Sequence, residues 1–426
     1  AKHLLTFLLT TLCSLPFITK AQDAAATEAK EEEKPAVTIS GYLDSYYLHA
    51  FNRPASGNLM GSGNTVGSGS PYVAGRAFDR LTDQFALGLV QTKFAYSDKH
   101  ADMVIDLTFG PNAELGNFGN QRAMAPGGYA TGFYPNNGNQ SVLYGTSAAI
   151  KQAYFTWKAT SKLSFTVGQF GTHIGYEVID APINYHYSLS NLFNNGPFYH
   201  IGAKANYAFS DKVALMVGIV NNWDALTDWK TQKSAIAQLY FKPVDGWNVY
   251  INYIGGHNDD GFKSGASGAG TTVGNSAYSA ITSGYNRQLF DLTTGYQITD
   301  KFYLGLNAAY GWYKFSDKNN EAAIIAAYQK MKPTWGGAAL YVNYAISDLV
   351  GIGARFEHFE DTYAVRYIGA TNNSVTVTAP ITLADGHLIV KPELRVDTSP
   401  TKIYENHTGG ATNTQQTLGM AFIYKY

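Results

Sequence analysis

The chain has 426 residues, 31 basic and 32 acidic, for a formal net charge of −1. So even a balance lacks the basic footprint that nucleic-acid binding requires. The single cysteine, Cys13, lies near the start and leaves everything after it without a thiol, a disulfide or a cysteine metal site.

Lys2 precedes an apolar run from Leu4 to Ile18 that closes on Thr19-Lys20-Ala21, the layout of a secretory signal peptide, with cleavage expected near Ala21. The run is too short for a spanning helix, and nothing later approaches the roughly 18 to 20 uncharged residues such a helix needs. Any membrane span must therefore be made of strands. Losing Lys2 and Lys20 with residues 1 to 21 leaves 29 basic groups against 32 acidic ones, a net of about −3. A lipoprotein role for Cys13 is disfavoured by the bulky Leu12 before it, where a small residue is wanted. Residues 22 to 36, with Glu28, Lys30, Glu31, Glu32, Glu33, Lys34 and Pro35, carry charge and no apolar side chain larger than alanine, and read as a flexible tail on the periplasmic side.

From Val37 to Tyr426 the grammar is period two, because side chains alternate across a strand. Trp247, Val249, Ile251 and Tyr253 alternate with Asn248, Tyr250, Asn252 and Ile254, and Phe302, Leu304, Leu306, Ala308, Tyr310 and Trp312 with Tyr303, Gly305, Asn307, Ala309, Gly311 and Tyr313. The last stretch sets Leu418, Met420, Phe422, Tyr424 and Tyr426 against Thr417, Gly419, Ala421 and Lys425. With 43 glycines, 31 tyrosines and 23 phenylalanines but only 15% charged residues, the composition fits a barrel in which every second residue meets lipid.

The connections fall into two kinds. Very short ones read Ser97-Asp98-Lys99, Thr160-Ser161, Ser210-Asp211-Lys212, Pro243-Val244-Asp245, Thr299-Asp300-Lys301, Ser347-Asp348 and Ala384-Asp385-Gly386, residues that favour tight hairpins. Between them lie long Gly-, Asn- and Ser-rich stretches near 52–77, 110–148, 172–198, 222–232, 256–284, 314–334, 360–374 and 397–415; one of these holds a helix candidate, Glu321 to Lys330. Short and long alternate throughout, which predicts an all-β fold: a closed antiparallel transmembrane barrel of about 16 strands, with short periplasmic turns and long extracellular loops. Strands are expected from near residues 37, 78, 100, 149, 162, 199, 212, 233, 246, 286, 300, 335, 349, 375, 386 and 416. Pro380 and Pro392 weaken the pair around 375–396, since each removes a ladder donor, and fourteen or eighteen strands stay open as counts. In the strand from 78, Leu81, Phe85, Leu87 and Leu89 share one face but Phe94 and Tyr96 fall on the other, and a bulge would repair the parity. A soluble sandwich or propeller would also alternate, but it predicts neither the leader nor the two classes of connection.

A barrel of about sixteen strands leaves an aqueous channel. Charges on its lipid face would cost about 2–4 kcal/mol near the midplane for Arg or Lys. Hence Asp44, Asp102, Asp106, Lys204, Arg287, Asp291, Arg355, Glu357, Lys391, Glu393, Arg395 and Asp397 are expected to face inward and line the pore. Their two readings are a transverse field acting on hydrated solutes and salt bridges that hold the wall open. The connection 172–198 carries enough aromatic and aliphatic groups to pack, so it is expected to fold inward and narrow the channel, with Glu177, Asp180, Asn184 and His186 at the constriction. An outer lid, or a loop contacting a neighbouring protomer, is the alternative.

Around this connection the chain resembles a family. Gly168-Gln169-Phe170-Gly171-Thr172, Gly175-Tyr176-Glu177, Asn184, Tyr187-Ser188-Leu189-Ser190, Pro197 and His200-Ile201-Gly202 are similar to the pattern of the OmpL-like β-barrel porins of Gram-negative bacteria. The resemblance extends from about Val37 to Tyr426 and implies an outer-membrane porin. It does not name a cargo.

Other chemistry finds little support. The ten histidines form no His-x-His or His-x-x-x-His pair, and His257-Asn258-Asp259-Asp260-Gly261 lacks calcium-loop spacing. Gly61 to Gly67 is followed by no Gly-Lys-Ser/Thr and reads as a plain loop. His358 beside Glu357, and Ser188 near His186, would be the candidates for a barrel hydrolase, but each lacks a third partner. The expectation is a passive diffusion porin of the bacterial outer membrane with no cofactor and no enzymatic activity. Its partners would be outer-membrane lipids and small hydrophilic solutes, and it could assemble as a homo-oligomer. A non-conducting adhesion or assembly barrel is the competing class.

Overall fold

The computed structural model describes residues 36–57, 59, 76, 78–118, 149–221, 223–225, 233–258, 285–315, 334–362, 366 and 368–426. The expected leader and tail, the Gly61–Gly67 stretch and the helix candidate Glu321 to Lys330 lie outside the described residues, except for Ala36 at the end of the tail.

The strands are β1 Ala36–Ala50, β2 Phe85–Ser97, β3 Ala101–Phe109, β4 Ile150–Lys158, β5 Leu163–Gly171, β6 Tyr199–Ala208, β7 Val213–Val220, β8 Ser234–Phe241, β9 Trp247–Asn258 and β10 Tyr285–Gln297. They continue as β11 Phe302–Phe315, β12 Thr334–Ala345, β13 Gly351–Glu360, β14 Thr371–Thr378, β15 Ile381–Leu383, β16 Leu388–Thr398, β17 Tyr404–Glu405, β18 Ala411–Thr412 and β19 Thr414–Lys425. Each long strand pairs antiparallel with its neighbours in chain order, and β1 pairs with both β2 and β19, so the sheet closes on itself. Closure leaves no edge, which the hydrocarbon demands, since each unpaired backbone group there costs several kcal/mol.

The barrel has sixteen staves. The segments β14 and β15 are halves of one stave, both paired with β16 and parted at Ala379-Pro380. Ala379 donates to the Pro392 carbonyl across that gap, so Pro392 lies opposite Ala379, and Pro380, which cannot donate, follows it where the ladder lapses. The hairpin β17–β18 belongs to the last long connection. Two short helices that strand periodicity does not foresee, α1 Pro111–Phe118 and α2 Asn191–Asn195, sit in long connections.

The tight turns share a device. Asp98 accepts from the His100 and Ala101 amides at 2.7 Å, Thr160 from Lys162 and Leu163, Thr299 from Lys301 and Phe302, and Ser347 from Leu349 and Val350. The recurring Ser, Thr or Asp thus satisfies the amides that a two- to four-residue turn leaves unpaired.

The strand expected from residue 78 starts at Phe85, and its parity break is a bulge. Leu43 pairs with Val90 and Ser45 with Leu87, so Gly88 and Leu89 together oppose Asp44. Leu89 turns inward and is buried, a correction to its expected place beside Phe85 and Leu87, while Phe85 and Phe94 both face outward. Gly88 is required there, because a Cβ would run into the Asp44 carboxylate.

The two faces differ as alternation dictates. Outside, Leu418, Met420, Phe422, Tyr424 and Tyr426 are exposed, and Trp157, Phe209, Trp247 and Tyr344 ring the short-turn end. Inside, Thr417, Ala421 and Ile423 are buried. An apolar cluster including Phe170, Val220, Trp223, Ile254, Leu289, Trp335 and Phe359 packs the bore toward the long-loop end.

Candidate functional site

The connection 172–198, between β5 and β6, finds its polar anchors among inward-facing side chains from many staves. Glu177 pairs with Arg355 of β13 at 2.5 Å, and Asp180 pairs with Lys151 of β4 at 2.5 Å and accepts from Gln91 of β2 at 2.8 Å. The Tyr187 hydroxyl donates to Asp44 at 2.6 Å, and the Gly175 amide donates to Asp291 at 3.0 Å. His186 Nδ1 meets the Thr378 hydroxyl at 2.7 Å.

The wall charges of β13 and β16 hold its backbone. Glu357 accepts from the Asn191 and Leu192 amides at 2.9 and 2.8 Å, at the start of α2, where the orphan N–H groups of a helix welcome an anion. Ser190 caps the same turn, its hydroxyl accepting from Phe193. Glu393 accepts from the Tyr187 and Ser188 amides, Arg355 donates to the Ser188 carbonyl, and Arg395 donates to the Leu189 carbonyl. Lys391 donates to the Ala181 and Asn184 carbonyls. Carboxylates thus take amides and cations take carbonyls over residues 181–192.

Wall glycines give the loop its seats. A Cβ on Gly305 would meet the Tyr176 ring, and one on Gly353 the Tyr185 ring. Tyr176 stacks on Tyr341 at 4.2 Å between centroids and donates its hydroxyl to that of Tyr303 at 2.7 Å.

The remaining inward charges are also engaged. Asp291 accepts from Asn252 and Asn307 at 2.7 and 2.6 Å, and Asp106 from Gln91 and Gln152. Asp397 pairs with Arg395 at 2.8 Å and Arg76 at 3.2 Å, while Asp102 pairs with Lys158 at 3.0 Å. Arg287 lies over the Trp223 ring at 4.5 Å and Lys204 over Phe170 at 4.4 Å. Asp44, Asp106, Arg287, Asp291, Arg355, Glu357, Lys391, Glu393, Arg395 and Asp397 are buried and only Asp102 and Lys204 are half-buried, so the expectation that these inward charges are bathed in open lumen water is corrected for those ten. Of the four loop residues, Glu177 and His186 are buried and Asp180 and Asn184 half-buried; Asn184 folds its own loop by bonding both backbone groups of Val178.

Sequence reasoning missed two cations. Lys151 shares parity with the outward Phe155 and Trp157, yet it is buried inside because a bulge opposite Asp106 and Leu107 turns both Lys151 and Gln152 inward. A lysine on a lipid-facing stripe was the available signal. Arg76 comes from a long connection with no periodicity to read, and it is buried against Asp79, Asp397 and Thr417. Of the hydrolase candidates, His358 faces outward and bonds Asn373, and Ser188 is held through its backbone by Glu393 and Arg355.

The family described as beta-barrel porin-2, OmpL-like matches residues 36–426. The chain belongs to that family. This porin also shares its fold with solved barrels. The outer membrane channel DcaP of Acinetobacter baumannii is 10% identical with a TM-score of 0.54, and the match covers 94% of the porin and 100% of DcaP. An anion-selective porin from Comamonas acidovorans is 9% identical at a TM-score of 0.52, covering 92% and 100%. OmpT of Vibrio cholerae, an outer membrane protein, is 12% identical at 0.52, covering 94% and 100%. Likeness at such identity is likeness of fold. No curated protein matches the chain. Family and closed barrel together make it an outer-membrane porin of bacteria.

Proposed function

We propose that this porin serves passive diffusion of small hydrophilic solutes or ions, without catalysis and without a cofactor, through a bore narrowed by the connection 172–198. The observation that carries the reading is the pairing of wall charges with that loop: Glu357, Glu393, Arg355 and Arg395 hold its backbone at residues 188–192 and its neighbours. In this reading Glu177, Asp180, Asn184 and His186 fasten the constriction, and Arg355, Lys391, Arg395 and Asp397 act as its anchors more than as a field in open water. Outer-membrane lipid covers the outer face, and a homo-oligomer is the assembly to test by cross-linking.

Planar-bilayer recording tests the proposal directly. Discrete, ohmic conductance steps in potassium chloride, with liposome swelling that falls as solute size grows, are expected. The apolar cluster from Phe170 to Phe359 favours a second reading, an adhesion or assembly barrel closed at rest. Bilayers no more conductive than protein-free ones would support that reading and remove the diffusion role.

A further inference from the structure

Several inward side chains are half-buried on one arc. Inward side chains of β13, β14 and β16, among them Arg355, Thr376 and Arg395, are buried beneath the loop. On the arc from β4 to β7, Tyr154, Thr156, Ser164, Lys204 and Asn206 face inward and are only half-buried. In a ring of sixteen staves β5–β7 lie opposite β13–β16, whose side chains take most of the bonds to the loop backbone over residues 181–192, while β4 also holds the loop through Lys151 and Asp180.

That lane has a head. Going from the short-turn end toward the long loops, β6 presents Ala208, Asn206, Lys204 and then His200, which is buried. The Lys204 ammonium sits 4.4 Å from the Phe170 ring centroid, and Phe170 meets the His200 ring edge-on at 6.4 Å between centroids. Phe170 and Val220 are buried in the apolar cluster beyond, and Met216 of the same cluster lies beside Asn206. Lys204 is therefore the charged group at the border between the half-exposed arc and the apolar collar. A charge at the entrance to a low-dielectric constriction weighs most on which ion passes, because field lines are focused there.

We infer that solutes travel along one off-axis lane beside β4–β7, and that Lys204 at its head sets a preference for anions. This rests on the diffusion reading. The lane itself is open to an independent probe, a charged methanethiosulfonate reagent applied to the full-length barrel in vesicles and bilayers, with the parent chain, whose only cysteine is Cys13, as background. Asn206→Cys is expected to react and lose conductance on modification, whereas Thr376→Cys, buried under the loop, stays unmodified. Lys204→Gln should lower the chloride-to-potassium permeability ratio about 25-fold, since one charge about 4 Å from an ion in water weighs about fivefold on each ion and in opposite directions, and Lys204→Glu should lower it further. A conducting barrel in which Asn206→Cys does not react, or in which both Lys204 variants keep the parent's ratio, overturns the lane. Reaction at Asn206→Cys in a barrel that never conducts upholds the lane and sinks the diffusion reading instead.

Discussion

At the scale of single residues, the interior is a set of charges that have found backbone partners. Arg355 illustrates the energetics: fully buried, it holds the Glu177 carboxylate, the Ser188 carbonyl and the Thr376 hydroxyl. Removing one member of a buried pair strands the other, at about 3–5 kcal/mol, whereas replacing both by apolar groups of similar volume is often close to neutral. Arg355→Ala should therefore free the 172–198 connection, read as new protease cleavage within it, and Arg355→Met with Glu177→Leu should restore most of the protection. A single variant as resistant as the parent would show that the pair does not hold the loop. These anchors were legible as inward charges from alternation alone, since Arg355, Glu357, Lys391 and Arg395 each oppose an apolar neighbour on the lipid face. Their partners were not legible, because a loop's backbone amides carry no sequence signature. Lys151 was hidden for another reason: a bulge adds one residue and inverts the face of everything beyond it.

At the scale of elements, hairpins were the most readable units, since turn chemistry and period two are both local. The ends of strands beside long connections were less so, as with the start at Phe85, where tertiary contacts decide whether the ladder continues. The turn at Asp98 offers a test with a definite sign. The His100 amide, the Tyr96 hydroxyl and the Ala101 amide hold its carboxyl down at about 2, below the ordinary 3.8. An acid depressed in the folded state contributes its stability above the unfolded value and loses it as pH falls through the folded one. Protection of the His100 and Ala101 amides, corrected for intrinsic exchange, should thus decline from about pH 4 to about pH 2. The Lys162 and Leu163 amides, held by the Thr160 hydroxyl, which does not titrate, should hold steady. Equal decline at both turns would mean that the barrel end loosens as a whole and that the Asp98 carboxylate has no special part.

At the scale of the molecule, the two faces of the wall obey opposite rules, and the opposition is measurable. Phe356 stands near the middle of β13, 47% exposed on the outer face, between Leu340 of β12 and Val375 of β14. Asn206 faces the bore on β6. Arginine at the first site must leave its charge in hydrocarbon, at about 2–4 kcal/mol near the bilayer midplane, whereas the second site offers water. In vesicles, Phe356→Arg should shift urea unfolding to lower concentration by that amount while Asn206→Arg leaves the midpoint nearly unchanged. In a detergent whose micelle lets the outer guanidinium reach water, the gap between the two variants should shrink, since the penalty belongs to the lipid and not to packing. Equal destabilisation in vesicles would contradict a cylinder with lipid on one side and water on the other. The result would bear on every inward assignment at once, because the faces of all sixteen staves are tied together through the closed register from β1 to β19.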